Sequence, residues 1–177
     1  MGLIANWRAA RERRRLADAF LRRLLVPIDP QLVAWLASEC GDDAAASREL
    51  AFARRAVGLT AAGRDALDDR TASDVAHAMA PLLETEARQS AHLADEWAVR
   101  WQAYRSALAA RGVPDSPTVR FARVMLSGAG IGQPSPSTLA RAAEVLQAMR
   151  GHANEALQAS FGSASLPDDI RPSALRS

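Results

Sequence analysis

Three histidines and a single cysteine are the side chains of this sequence best suited to metal binding or proton transfer. Asp74-x-x-His77, and His92 with Glu96, have spacings of three and four residues, which place two ligands on one face of a helix. A carboxylate-bridged di-iron bundle needs two Glu-x-x-His motifs and two further glutamates. This sequence offers one imperfect copy, so we predict neither a metal nor a cofactor.

Cysteine and lysine chemistry is restricted as well. Cys40 is predicted to lie at a helix C-terminus, where the negative end of the helix dipole disfavours a thiolate nucleophile. All 22 basic residues are arginine, and a chain without lysine has no Walker A phosphate loop and forms no lysine Schiff base. One cysteine forms no internal disulfide, which fits a reducing compartment. We therefore predict a cytoplasmic protein that is not an enzyme.

Positive charge is concentrated in residues 1–26, which carry +5 while the other 151 residues sum to −3. This segment is predicted to form an amphipathic helix from about Asn6. Arg8 and Arg11 then lie in its first turns, where the positive end of the helix dipole disfavours a cation by about 0.3–1 kcal/mol each. An anionic partner relieves that repulsion. We therefore assign partner binding to the apolar tip and the arginines that follow it: Leu3, Ile4, Trp7, Arg8, Arg11, Arg13, Arg14 and Arg15.

Two functional hypotheses compete with the simpler interpretation of a solvated arginine-rich surface. The first is a non-catalytic accessory or scaffolding subunit that docks on a larger protein assembly through the basic helix. An anionic membrane surface is a second candidate partner, and the subunit is then peripheral to a membrane complex. The alternative is a nucleic-acid-associated helical regulator, which the small net charge of +2 disfavours. A helix-turn-helix motif at Gly41 is also disfavoured, because Asp42 and Asp43 open the would-be recognition helix and repel phosphate.

The sequence pattern predicts an all-α protein, a single-domain irregular helical bundle of about six or seven helices around a long central helix. Heptad-like spacing of apolar residues, with Gly112 just past the end, assigns the central helix to 81–112. Pro81 either begins this helix or kinks a continuous one. The other expected helices are the basic helix, 30–40, 44–58, a short helix from Thr71, 117–127 and 136–161. We divide the chain into a basic N-terminal helix (1–26), a helical bundle domain (27–162) and a flexible C-terminal tail (163–177).

Aromatic residues follow one stripe of the predicted central helix at Trp97, Trp101 and Tyr104. Such a stripe either forms core or lines a ligand pocket, and core is the commoner arrangement. We expect it to pack against Trp35, Phe52, Leu139 or Leu146. No transmembrane segment is predicted, because the longest uncharged run, 124–140, is rich in glycine, proline and serine.

Overall fold

The computed structural model describes residues 2–64 and 69–162, and the predicted tail at 163–177 lies outside them. The side chains of residues 2–5 and 69 also fall outside the description. Within the described ranges the chain forms seven α-helices and no β-strand, which confirms the all-α prediction. The helices are α1 (Gly2–Leu24), α2 (Pro30–Cys40), α3 (Asp43–Arg64), α4 (Asp69–Gln89), α5 (Ala91–Ala109), α6 (Pro117–Gly128) and α7 (Pro136–Phe161).

Three helices begin where a capping side chain is followed directly by proline. Asp29, Ser116 and Ser135 each accept a hydrogen bond from a backbone N–H in the first turn of α2, α6 and α7. Proline suits the next position because its missing N–H would have had no partner in the helix. Gly41 closes α2 with a φ of 77°, a conformation that glycine adopts without strain. The predicted bounds of these helices are confirmed to within one residue.

The prediction of one continuous central helix over 81–112 is wrong, because the helix is interrupted at Ser90. The backbone of Ser90 is extended (φ −155°, ψ 105°), and its hydroxyl accepts from the N–H of Leu93 as the N-cap of α5. Serine competes with the helix for backbone hydrogen bonds, which favours a cap at such a position. Pro81 does not start a helix but lies inside α4. The stripe is therefore divided between two helices.

The centre of the bundle is α3, which contacts all six of the other described helices. Half of its ten buried positions are alanine, and the buried positions are spread widely around the helix rather than forming one stripe. Such small side chains let neighbouring helices approach closely. At Gly58 a Cβ would overlap the side chain of Leu24, so the end of α1 is seated directly on the α3 backbone.

The aromatic stripe is largely core. Trp97 and Tyr104 are buried, whereas Trp101 is half-buried and stacks on Trp97 with ring centroids 5.9 Å apart. Trp97 also contacts Phe52 at 5.5 Å, one of the expected partners. Tyr104 stacks instead on Phe121 at 4.1 Å. Core packing is therefore confirmed for Trp97 and Tyr104.

A carboxylate that the sequence did not single out lies at the heart of this core. Glu49 is only 2% exposed, and the hydroxyl of Tyr104 donates to its Oε1 at 2.6 Å. The Nε of Arg100 lies 2.9 Å from its Oε2, and the same guanidinium donates to the Gly128 carbonyl. A Cβ at Gly128 would overlap the carboxylate, so glycine is required there. This cluster joins α3, α5 and α6.

Burial raises the pKa of Glu49, and the hydrogen bond from Tyr104 and the charge of Arg100 oppose the rise without cancelling it. The pKa of Tyr104 is also well above its usual value, because of its own burial and the nearby Glu49 charge. Tyr104 therefore remains a protonated donor. The cluster is a structural centre built from one acid, one phenol and one guanidinium.

Glu49→Gln is expected to remove a specific pH dependence of stability. Since the pKa of Glu49 rises above 4.5 on folding, the folded state binds more protons than the unfolded state in that window. The stabilisation linked to this carboxyl is complete below pH 4.5 and is lost as the pH rises through the folded-state pKa. The free energy of unfolding of wild type minus that of Glu49→Gln should therefore fall as the pH increases, measured by urea denaturation.

The matched control is Glu144→Gln, which removes an exposed carboxylate of α7. It should leave the pH dependence of the wild type nearly unchanged. A wild-type minus Glu49→Gln difference that stays flat or rises with pH would contradict the account of the core.

Candidate functional site

Helix α1 is divided into a packed half and an exposed half. In the packed half, Ala17, Phe20, Leu21 and Leu24 are buried against the bundle. Their neighbours come from α4, α7 and α3. At the end of the helix the carbonyl of Arg23 lies 2.8 Å from Nε2 of His152 on α7. The packed half is therefore fixed both by its buried side chains and by a hydrogen bond at its C-terminal end.

The exposed half projects from the bundle. Every side chain from Asn6 to Glu12 is exposed, although these residues cover all sides of about two helical turns. A helix lying along a surface would bury one side, so this segment, which we call the α1 arm (residues 6–12), extends into solvent. A short helix without tertiary packing is marginal in water. The arm therefore gains most from contact with a partner.

Four of the seven arginines of α1 share the face turned away from the core, and we call this the basic face. At 100° per residue, Arg8, Arg11, Arg15 and Arg22 lie within one narrow sector. One continuous surface depression lies along α1. The residues that line it are Trp7, Arg8, Arg11, Glu12, Arg14, Arg15, Asp18 and Arg22.

Trp7 is the apolar anchor of the basic face. Its side chain is 61% exposed, and the guanidinium carbon of Arg11 lies 5.5 Å from its ring centroid. That distance is within cation–π range, so the two side chains form a stacked pair on the surface. Arg15 lies 3.9 Å from Glu12, an exposed pair of little energetic weight. The basic face is thus mostly cationic, with one large exposed ring.

The predicted site residues are not all on this face. Arg13 turns toward the bundle, where its Nε lies 2.6 Å from Oδ2 of Asp74 on α4, and both side chains are one-quarter exposed. Leu3 and Ile4 belong to the first turn of α1, and their side chains lie outside the described set. Arg13 therefore holds α1 against α4. The exposed members of the predicted binding set are Trp7, Arg8, Arg11, Arg14 and Arg15.

The candidates for metal or proton chemistry are dispersed. Asp74 pairs with Arg13, while His77 contacts Ser73 at 3.3 Å. Glu96 lies 3.3 Å from His92, but its other oxygen is 3.1 Å from Nε of Arg48. Among the described residues no three histidine, cysteine or acidic side chains come together as a metal site.

Cys40 is half-buried at the end of α2. Its thiol lies 3.3 Å from the carbonyl oxygen of Asp42, to which it donates. No histidine shares this contact, so the geometry does not provide the base that an activated cysteine needs. In the part of the chain that the structure describes, no helix is both long and apolar enough to cross a membrane.

Comparison with known proteins gives no match: no protein-family model, no curated protein and no solved structure is significantly similar to this chain. What the protein does is therefore inferred from its own residues. The basic face combines clustered arginines with an exposed aromatic ring.

The Arg13–Asp74 pair is expected to show a coupling energy of about 1 kcal/mol in a double-mutant cycle, because it is short and partly shielded from solvent. The cycle consists of Arg13→Ala, Asp74→Ala and the double variant, each measured by urea denaturation. The more exposed Arg15–Glu12 pair is the comparison and should couple by less than about 0.5 kcal/mol. Equal coupling in the two cycles would mean that Arg13 does not fasten the arm to α4.

Proposed function

We propose that this protein is a non-catalytic accessory subunit that docks on a larger assembly through the basic face of α1. The observation that carries this proposal is the α1 arm, a helical projection with exposed Trp7 and clustered arginines. Tryptophan and arginine are enriched among the residues that dominate binding energy at protein interfaces. The arm has no other described role in the fold, because its side chains contribute nothing to the core.

The chemistry of the basic face favours an acidic protein surface as partner. Guanidinium groups bind carboxylates in a planar, bidentate geometry, and Trp7 suits an apolar recess within such a surface. Helix α1 begins at Gly2 and not, as predicted, at about Asn6. Arg8 and Arg11 therefore lie in its second and third turns, beyond the reach of the helix dipole. The preference for an acidic partner therefore rests on the clustered arginines themselves.

Glu12 and Asp18 border the same face. Their carboxylates repel a uniformly negative polymer but can pair with an arginine or lysine of a protein partner.

Nucleic acid is the alternative ligand for the basic face. Use of α2 and α3 as a helix-turn-helix is disfavoured, because α3 lies at the centre of the bundle and is covered along most of its length. Its N-terminus is also occupied, since Oδ1 of Asp42 accepts from the N–H groups of Ala44 and Ala45. An anionic membrane is a further alternative, and Trp7 is the only large exposed apolar side chain that the described part of this face offers to lipid.

Charge reversal of the basic face should abolish docking. The triple variant Arg8→Glu, Arg11→Glu and Arg15→Glu replaces three cations with carboxylates, and binding to the native assembly should fall by at least about 100-fold, since like-charge contacts replace paired ones. Binding by the wild type should also weaken as salt shortens the Debye length from about 10 Å at 0.1 M. Both are measured by co-sedimentation at fixed protein concentration.

The matched control reverses three exposed arginines elsewhere: Arg88, Arg105 and Arg111. It changes the net charge by the same amount and should bind as the wild type does. Deletion of residues 1–12 removes the arm but keeps Arg13 and the packed half of α1, so the domain should stay folded and lose binding. Polyglutamate, anionic vesicles and duplex DNA are compared in the same series. If both charge variants bind the assembly equally, the basic face is only a solvated surface. If DNA or vesicles retain the wild type more strongly than polyglutamate does, the partner of the basic face is nucleic acid or membrane and not an acidic protein.

A further inference from the structure

A cleft lies on a part of the bundle that α1 does not reach. It has a volume of about 490 Å³, within the roughly 300–1,000 Å³ range of small-molecule sites. Residues of α3, α5, α6 and α7 line it, and its apolar surface comes from Val57, Ala61, Leu108, Phe121 and Leu146. The cleft is therefore large and apolar enough to take a small organic molecule.

Gly151, in the wall of the cleft, has no packing reason to be glycine. It lies inside α7, where glycine is less favourable than alanine because the unfolded chain gains freedom. Gly58 and Gly128 are required by close neighbours, but a Cβ at Gly151 would meet nothing within 4 Å. The missing side chain leaves open space beside the cleft. The sequence thus gives up helix stability at a position where a side chain would narrow the cavity.

The polar groups of the cleft favour an anion. Arg64 and Arg150 lie at its rim, and Thr118 belongs to the first turn of α6, the positive end of that helix. No carboxylate is among the described residues that line it. Arg64 also donates a long bond, 3.4 Å, to the Leu108 carbonyl, which directs it along the cleft edge.

Asn154 adds a polar group inside the cleft. Its Oδ1 is buried and has no hydrogen-bond partner among the described residues. Buried polar atoms are nearly always paired in folded proteins, so this amide is a place where a ligand gains a hydrogen bond. The Oδ1 atom needs a donor from the ligand, whereas the Nδ2 of the same amide can donate to the oxygen atoms of an acidic head group.

We propose that this cleft binds a small amphipathic acid, an aliphatic or aromatic body that carries one anionic group. The body packs on Phe121 and Leu146, and the anionic group lies between Arg64, Arg150 and Asn154. This site is independent of the basic face, since no α1 residue whose side chain the structure describes lines it.

The test uses 1-anilinonaphthalene-8-sulfonate as a fluorescent probe and decanoate as competitor on the full chain. We expect saturable binding of one probe per protein and full displacement by decanoate. Gly151→Leu should weaken both by at least about tenfold, because the new side chain enters the open space. The matched control is Gly63→Leu, at a helical glycine outside the cleft where a Cβ likewise meets nothing within 4 Å. It should bind as the wild type does.

A second set of ligands and variants tests the charge. Decanol and decyltrimethylammonium should compete at least about tenfold more weakly than decanoate, and Arg64→Gln with Arg150→Gln should remove that preference. Asn154→Leu changes the same wall one turn further along α7 and replaces Gly151→Leu if circular dichroism shows that the latter is unfolded. Binding that is unaffected in the folded cleft variant, or equal competition by the three decyl compounds, would overturn the proposal.

Discussion

The buried carboxylate of Glu49 is the constraint on which the rest of the structure depends. A carboxylate removed from water is tolerated only when its oxygens are paired. Tyr104 and Arg100 supply those partners, and both come from α5. Gly128 must be glycine so that α6 can close over the group. The positions of α3, α5 and α6 are thereby fixed relative to one another by one side chain.

Because α3 contacts every other described helix, its position also determines where the basic face and the cleft lie. Leu24 rests on Gly58 of α3, which seats the packed half of α1 and leaves the arm beyond the bundle. On another part of α3, Val57 and Ala61 form part of the cleft wall. The basic face and the cleft are thus separate in their described residues but share a common support.

Local sequence was sufficient to predict most of the helices. Asp-Pro and Ser-Pro at the starts of α2, α6 and α7 act through caps within one turn, so they are visible without knowledge of the fold. Ser90 was missed because the apolar spacing continues across the break and no proline or glycine marks it. The central position of α3 was missed because buried alanine spread widely around the helix resembles an alanine-rich surface helix.

The sites show the same division between local and distant interactions. Exposed arginines beside Trp7 could be predicted from charge placement along one helix. The turn of Arg13 toward Asp74 depends on a contact across 61 residues, and the Glu49–Tyr104 bond spans 55. Gly151 resembles any helical glycine until its empty surroundings are known. Such pairings are set by tertiary packing and leave no pattern in a single sequence.

Amide hydrogen exchange tests most directly the claim that a rigid bundle presents an arm built for an acidic partner. In the free protein, amides of residues 6–12 should exchange at close to the unprotected rate, while those of α3 around Glu49 should be among the slowest. Addition of polyglutamate, as a simple acidic partner, should slow the arm by at least about tenfold and leave α3 unchanged. If residues 6–12 are already as protected as α3 in the free protein, or if polyglutamate protects another surface instead, the account is contradicted.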